Sequence, residues 1–152
     1  AYRHLPRGEK PPPAFSHLSQ EKIIGCNCTK KDTIVDMSAK RLSARFYQTE
    51  SGNEPVRDWL QQLEQSERKI IGADIKTVEY GWPIGMPTCR PMGKGLYEVR
   101  SSLPGGKIAR VLFCIFEGQM VLLHGFIKKT QKAPQQELNL ALKRKSNLEA
   151  TK

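Results

Sequence analysis

Two arginines and a lysine cluster are the residues of this chain best suited to chemistry. In LYEVR (96–100), strand alternation sends Tyr97 and Val99 one way and Glu98 and Arg100 the other. Arg110 interrupts a nearly continuous apolar run, between Ala109 and Val111. The stretch VLLHGFIKKTQKAP (121–134) starts as an apolar strand and ends as a basic turn carrying Lys128, Lys129 and Lys132. Planar guanidinium forks suit bidentate phosphate contacts, and crowded ammonium groups lower one another's pKa toward values useful for proton transfer. Two readings of Arg110 stay open. One is an ion pair with Glu98 on the adjacent strand, since an unpaired buried arginine is costly. The other is a place beside Arg100 on an open, concave sheet face that receives phosphate. His124, inside the apolar run, is either a core histidine or a proton carrier.

The charge around these residues is local. The chain has 25 Lys plus Arg against 15 Asp plus Glu in 152 residues, a formal net charge of +10. Between 90 and 132 the basic residues are Arg90, Lys94, Arg100, Lys107, Arg110, Lys128, Lys129 and Lys132, opposed only by Glu98 and Glu117. Such a surface favours polyanions: nucleic acid, ribosomes, acidic proteins or anionic membrane surfaces. Arg90, Lys94, Lys107 and Lys132 are candidate nucleic-acid contacts.

Several classes find no support. No apolar run approaches the roughly 18 residues that read as a membrane span, and the first residues lack the apolar core of a secretory signal. The pair in CNC (Cys26, Cys28), with His17 upstream, does not have zinc-ligand spacing. Cys114 reads as a small buried thiol, and four cysteines in a chain this long fit a reducing cytoplasm. There is no P-loop and no carboxylate cluster for a metal, and GKG at 93–95 is too short for a phosphate motif. Neither a metal nor a cofactor is expected.

The elements that must position these residues belong to an α+β domain. LSARFY (42–47) alternates as a strand. TESGN turns, Asn53 is the expected N-cap, and Pro55 opens a helix whose Val56, Trp59, Leu60 and Leu63 share a face. Ser66 caps a second helix with Ile71, Ile75 and Val78, closed by Gly81 and Pro83. After a Gly- and Pro-rich passage come strands at 95–103, 107–116 and 119–127, joined by short Gly-containing turns into an antiparallel meander. Pro134 opens a short last helix through about Ser146. The expectation is an antiparallel sheet of one N-terminal strand plus the meander, with the two N-terminal helices packed on it. Residues 1–38, with Pro11-Pro12-Pro13, read as a basic extension in which Met37 is a candidate natural start. The domain proper spans 39–148, and 149–152 form a tail.

GMPTCRPMGKGLYEVRSS, IARVLFCIFEG and VLLHGFIKKTQKAPQQEL, with GNEPVRDWL in the first helix, resemble the HigB branch of the RelE-like bacterial toxins. This is the group often described as phage-derived. The resemblance covers about 42–146 and implies a small RelE-like fold. It implies a cytoplasmic toxin that cleaves mRNA on the ribosome without a metal and is neutralised by a cognate helix-turn-helix antitoxin. By position, Arg100 and Arg110 match the family's strand bases, and Lys128 and Lys129 match its basic residues after the last strand. Glu98 stands where relatives place a basic residue, two positions before Arg100, and no tyrosine follows the lysines in the last helix. The general base therefore stays open among Lys128, Lys129, Glu98 and His124. Two alternatives stand beside the endonuclease: a non-catalytic RNA- or ribosome-binding module, and an antitoxin-binding toxin remnant.

Overall fold

The computed structural model describes residues 39–128 and 134–151. Expectations for 1–38, including Met37 and the CNC pair, and for Lys129 and Lys132 fall outside the described residues. The elements run β1 (Ser43–Phe46), α1 (Pro55–Gln62), α2 (Gln65–Gly81), β2 (Cys89–Gly93), β3 (Leu96–Ser102), β4 (Ile108–Phe116), β5 (Gln119–Lys128) and α3 (Gln135–Ala150), with a 3-10 turn at Pro104–Gly106.

The α+β class and the β3-β4-β5 meander are as expected, but the sheet differs in two ways. It has five strands in the order β1-β5-β4-β3-β2. It is also mixed, because β1 pairs parallel with β5 from Ser43↔Gln119 to Phe46↔Leu122. The physical reason is the connection: α1 and α2 carry the chain across the sheet, and a crossover of that kind permits parallel pairing. The additional strand, β2, hides in CRPMG, which has no alternating pattern. It is an edge strand, where Pro91 breaks no necessary ladder bond. Its hairpin to β3 turns through Lys94 and Gly95, at φ 54 and 71, a left-handed pair favoured between twisted strands. GKG is thus a turn.

Two apolar layers sandwich the sheet. On one face Val56 of α1 and Ile71, Ile75 and Val78 of α2 meet Val99, Val111, Phe113, Met120 and Leu122. Each fully buried aliphatic side chain here contributes about 1.5–3 kcal/mol. Trp59 lies over Gly125, the cross-strand partner of Val111, so closely that a Cβ at 125 would overlap the indole ring. On the other face α3 sets Ala141, Leu138 and Leu142 against Leu112, Cys114, Val121, Leu123 and Phe126. The last helix therefore sits opposite the first two and runs past Ser146 to Ala150.

The helix starts also depart from expectation. Glu54, not Asn53, occupies the N-cap of α1, with no side-chain capping bond. Asn53 stays in the preceding turn, its backbone N donating to Thr49 Oγ1 at 3.0 Å. Glu64 precedes α2, and Ser66 lies within its first turn. The outer edge of β1 is covered by the buried Glu79, whose Oε1 accepts from Ala44 N at 2.7 Å. Covering an edge donor in this way blunts strand-to-strand association.

Candidate functional site

The register assembles the basic residues on the α3 side of the sheet, outside the apolar cluster under α3. Arg90 pairs with Glu98, and Arg100 pairs with Arg110. Ser102 pairs with Ile108, which pairs with Lys128. Partners across a ladder point to the same side, so Arg90, Glu98, Arg100, Arg110 and Lys128 share one face. Two arginines directly opposite one another repel. Glu98 offsets this repulsion.

The Glu98 side chain is 0% exposed, and its Oε2 accepts from Arg110 Nη1 at 2.9 Å. Its Oε1 lies 3.7 Å from Arg100 Nε, an ion-pair distance without a hydrogen bond. The Arg110 side chain is 5% exposed and that of Arg100 27%. The face therefore has a floor of Glu98 and Arg110, a half-buried tier of Arg100 and Lys128, and the exposed Arg90 at its rim. Of the two expected readings of Arg110, the ion pair with Glu98 is the one seen; Arg110 lies across the ladder from Arg100 but is buried.

Lys128 is held below the ordinary lysine range, first by its half-buried position and then by the Arg110 charge. Arg100 and Arg90 push the same way, and Glu98 opposes them. To no described residue does the side chain of Arg90, Arg100 or Lys128 donate a hydrogen bond. Their donors remain available to an anion. The Arg90 and Arg100 guanidinium forks and the Lys128 ammonium group are chemically suited to contact a phosphate.

The other expected residues go elsewhere. Lys107 reaches across to α2, 3.2 Å from the buried Glu67. Lys94 sits in the β2–β3 turn, beside Gly95, which lies close to Lys145 of α3. His124 is a tether. Its Nε2 pairs with Glu137 of α3, and its Nδ1 accepts from Arg144 Nη1 at 3.1 Å. That pattern selects the neutral imidazole carrying its proton on Nε2. The ring also stacks on Phe126. A bulge between Leu112 and Phe113 leaves Leu123 outside the β4 ladder, and Arg144 donates to its carbonyl at 2.8 Å. With both nitrogens committed to α3, His124 is not brought into the basic ring.

Sequence reasoning missed one feature beside the ring. A cleft of about 390 Å³ opens beside the end of β3, lined by Arg100 and Ser102 of β3 together with Ile70 and Asp74 of α2. The helical spacing of Glu67, Ile70 and Asp74 carried the available signal. Among the described residues no group of three or more His, Cys, Asp and Glu is placed to hold a metal ion, and no helix is long and apolar enough to cross a membrane.

No curated protein matches the chain. Residues 58–146, which carry α1 from its first turn, the whole basic ring and most of α3, match the family described as Phage derived protein Gp49-like (DUF891). The chain belongs to this Gp49-like family of phage-derived proteins, a family associated with RelE- and HigB-like toxins.

Proposed function

We propose that this protein is the toxin of a type II toxin–antitoxin system, a HigB-like endonuclease that cleaves mRNA on the ribosome through side-chain acid–base chemistry. The observation that carries the proposal is the ring itself: Arg90, Arg100, Arg110 and Lys128 share one sheet face with the buried Glu98, whose carboxylate lies at ion-pair distance from Arg100 and Arg110. Its location within the Gp49-like match adds support.

In the proposed reaction the RNA 2′-oxygen attacks the adjacent phosphorus and loses its proton to a base. The bond from phosphorus to the 5′-oxygen breaks, and that oxygen is protonated. The products are a 2′,3′-cyclic phosphate and a 5′-hydroxyl. Arg100 stabilises the charge that develops on the phosphorane, where preorganised cations are most effective, and the buried Arg110 adds its positive field from beneath. Glu98 holds both guanidinium groups in place. Lys128, with its lowered pKa, is the proton-transfer group that the described geometry favours. The proposed location is the cytoplasm, and the proposed inhibitor is a helix-turn-helix antitoxin encoded beside the toxin.

A second reading, RNA or ribosome binding without cleavage, draws on Glu98. Its carboxylate lies between the two arginines, where an incoming phosphate must compete with it. Induced expression with mapping of mRNA 5′ ends on translating ribosomes separates the two. The endonuclease produces growth arrest and codon-associated cuts. Arrest without cuts would favour the binding module.

A further inference from the structure

The cleft beside Arg100 has the composition of a base-reading site. Ile70 and Pro87 give it apolar walls with Ile108, while Asp74, Thr88 and Ser102 supply polar groups. About 390 Å³ falls within the roughly 300–1,000 Å³ usual for small-ligand pockets. The walls are fixed. Asp74 lies one position before the buried Ile75, which anchors α2 to the core. Two turns earlier, Glu67 is tied to Lys107, the neighbour of Ile108, at 3.2 Å. Thr88 is tied to β3, its carbonyl accepting from Arg100 N at 2.9 Å.

The Asp74 side chain makes no hydrogen bond or ion pair with any described residue. A carboxylate that only accepts, beside a ring of cations built for phosphate, weakens the binding of a polyanion. The exception is an RNA element that offers donors at that point. Single-stranded RNA does so through the edges of its unstacked bases. Guanine presents two adjacent donors, N1–H and the N2 amino group, which match the two oxygens of a carboxylate. Adenine and cytosine present one amino group each, and uracil one imino N–H. Arg100 belongs to both the ring and the cleft, and Asp74 lines the same cleft, so the cleft is the nearest cavity for the base of a nucleotide whose phosphate lies on Arg100.

We propose that this cleft is a nucleobase subsite that selects guanine in the nucleotide flanking the scissile phosphate, with Asp74 reading its Watson–Crick edge. The proposal rests on the reading of Arg100 as a phosphate ligand. It makes the cleft a determinant of cleavage-site choice. The hydroxyls of Thr88 and Ser102 complete the polar rim, and the apolar walls take the faces of the ring.

The test uses the full chain and 2′-O-methyl trinucleotides, which cannot be cleaved because the attacking oxygen is blocked. One position carries guanine, inosine (which lacks the 2-amino group) or adenine, and binding is followed by NMR shifts of Asp74 and its neighbours. The expected order is guanine over inosine over adenine, with guanine about 10-fold tighter than adenine, in line with one good bidentate base contact. Asp74→Asn, a near-isosteric change at a half-buried position, collapses that order, whereas Arg100→Ala weakens all three alike. Equal affinities, or binding of none of the three, overturn the subsite. The two proposals also fail separately. Guanine selectivity in a protein that makes no cuts leaves the subsite standing and removes the endonuclease. Cuts with no guanine enrichment, unchanged by Asp74→Asn, do the reverse.

Discussion

Arg110 donates through Nη1 to Glu98 Oε2 at 2.9 Å, and this buried pair is the floor on which the exposed cations stand. Breaking it by Glu98→Ala leaves a buried guanidinium unpaired and two arginines face to face. The expected loss is about 3–5 kcal/mol of folding stability, read by urea denaturation. Glu98→Gln keeps the shape and an acceptor and loses less. An alanine variant as stable as the parent would contradict the role of the carboxylate.

Arg100 differs from Arg110 in exposure, so its removal separates chemistry from folding. Its ion pair with Glu98 is long, at 3.7 Å, and Arg100→Ala is expected to change stability by no more than about 1 kcal/mol. Cleavage is expected to fall about 10²–10³-fold, the usual loss when one preorganised donor to a developing oxyanion is removed. Quantifying cut ends on translating ribosomes checks this, with the melting transition as the control.

The lowered pKa of Lys128 sets the sign of two pH effects. The unfolded chain binds this proton more tightly than the folded one. The group's contribution to stability therefore rises with pH between the folded value and the unfolded one of about 10.4. Cleavage, with Lys128 as base, rises with a midpoint below that same ordinary value. Lys128→Arg keeps the charge, flattens the pH–rate profile and lowers activity. A profile unchanged by Lys128→Arg would assign the proton to another group.

Gly125 is required by the Trp59 ring that covers it. Gly125→Ala is expected to cost about 1–3 kcal/mol through overpacking. In Trp59→Leu the same substitution costs less, so the two changes are non-additive in a double-mutant cycle measured by denaturation.

Arg144 fastens α3 to the bulge through the Leu123 carbonyl and His124 Nδ1. Arg144→Ala leaves that carbonyl without its partner, and about 1–3 kcal/mol is expected to be lost. Burial under α3 pushes the Cys114 thiol up to about 11, so it reacts slowly at neutral pH. Site-resolved alkylation by mass spectrometry should show Cys114 accelerated in Arg144→Ala. Cys89, also raised to about 11 by burial and the Glu98 charge, should be unchanged.

The sequence by itself determined the elements whose pattern is local. The i, i+3, i+4, i+7 spacing of Val56, Trp59, Leu60 and Leu63 and the helical spacing of Ile71, Ile75 and Val78 specify α1 and α2. Short turns between apolar runs specify the meander, whereas the register that sets Arg100 opposite Arg110 comes from the packed sheet. Pairing that depends on distant segments was not legible. The parallel match of Ser43–Phe46 to β5 joins residues more than seventy positions apart, and nothing within SARF encodes it. CRPMG becomes a strand only because the edge of β3 is free to receive it, and that pairing carries Arg90 to Glu98. The bulge at Leu123 and the placement of α3 decided that His124 faces Glu137 and Arg144 instead of the ring. Composition identified a basic face; only the packed sheet could show that its charges rest on a fully buried glutamate.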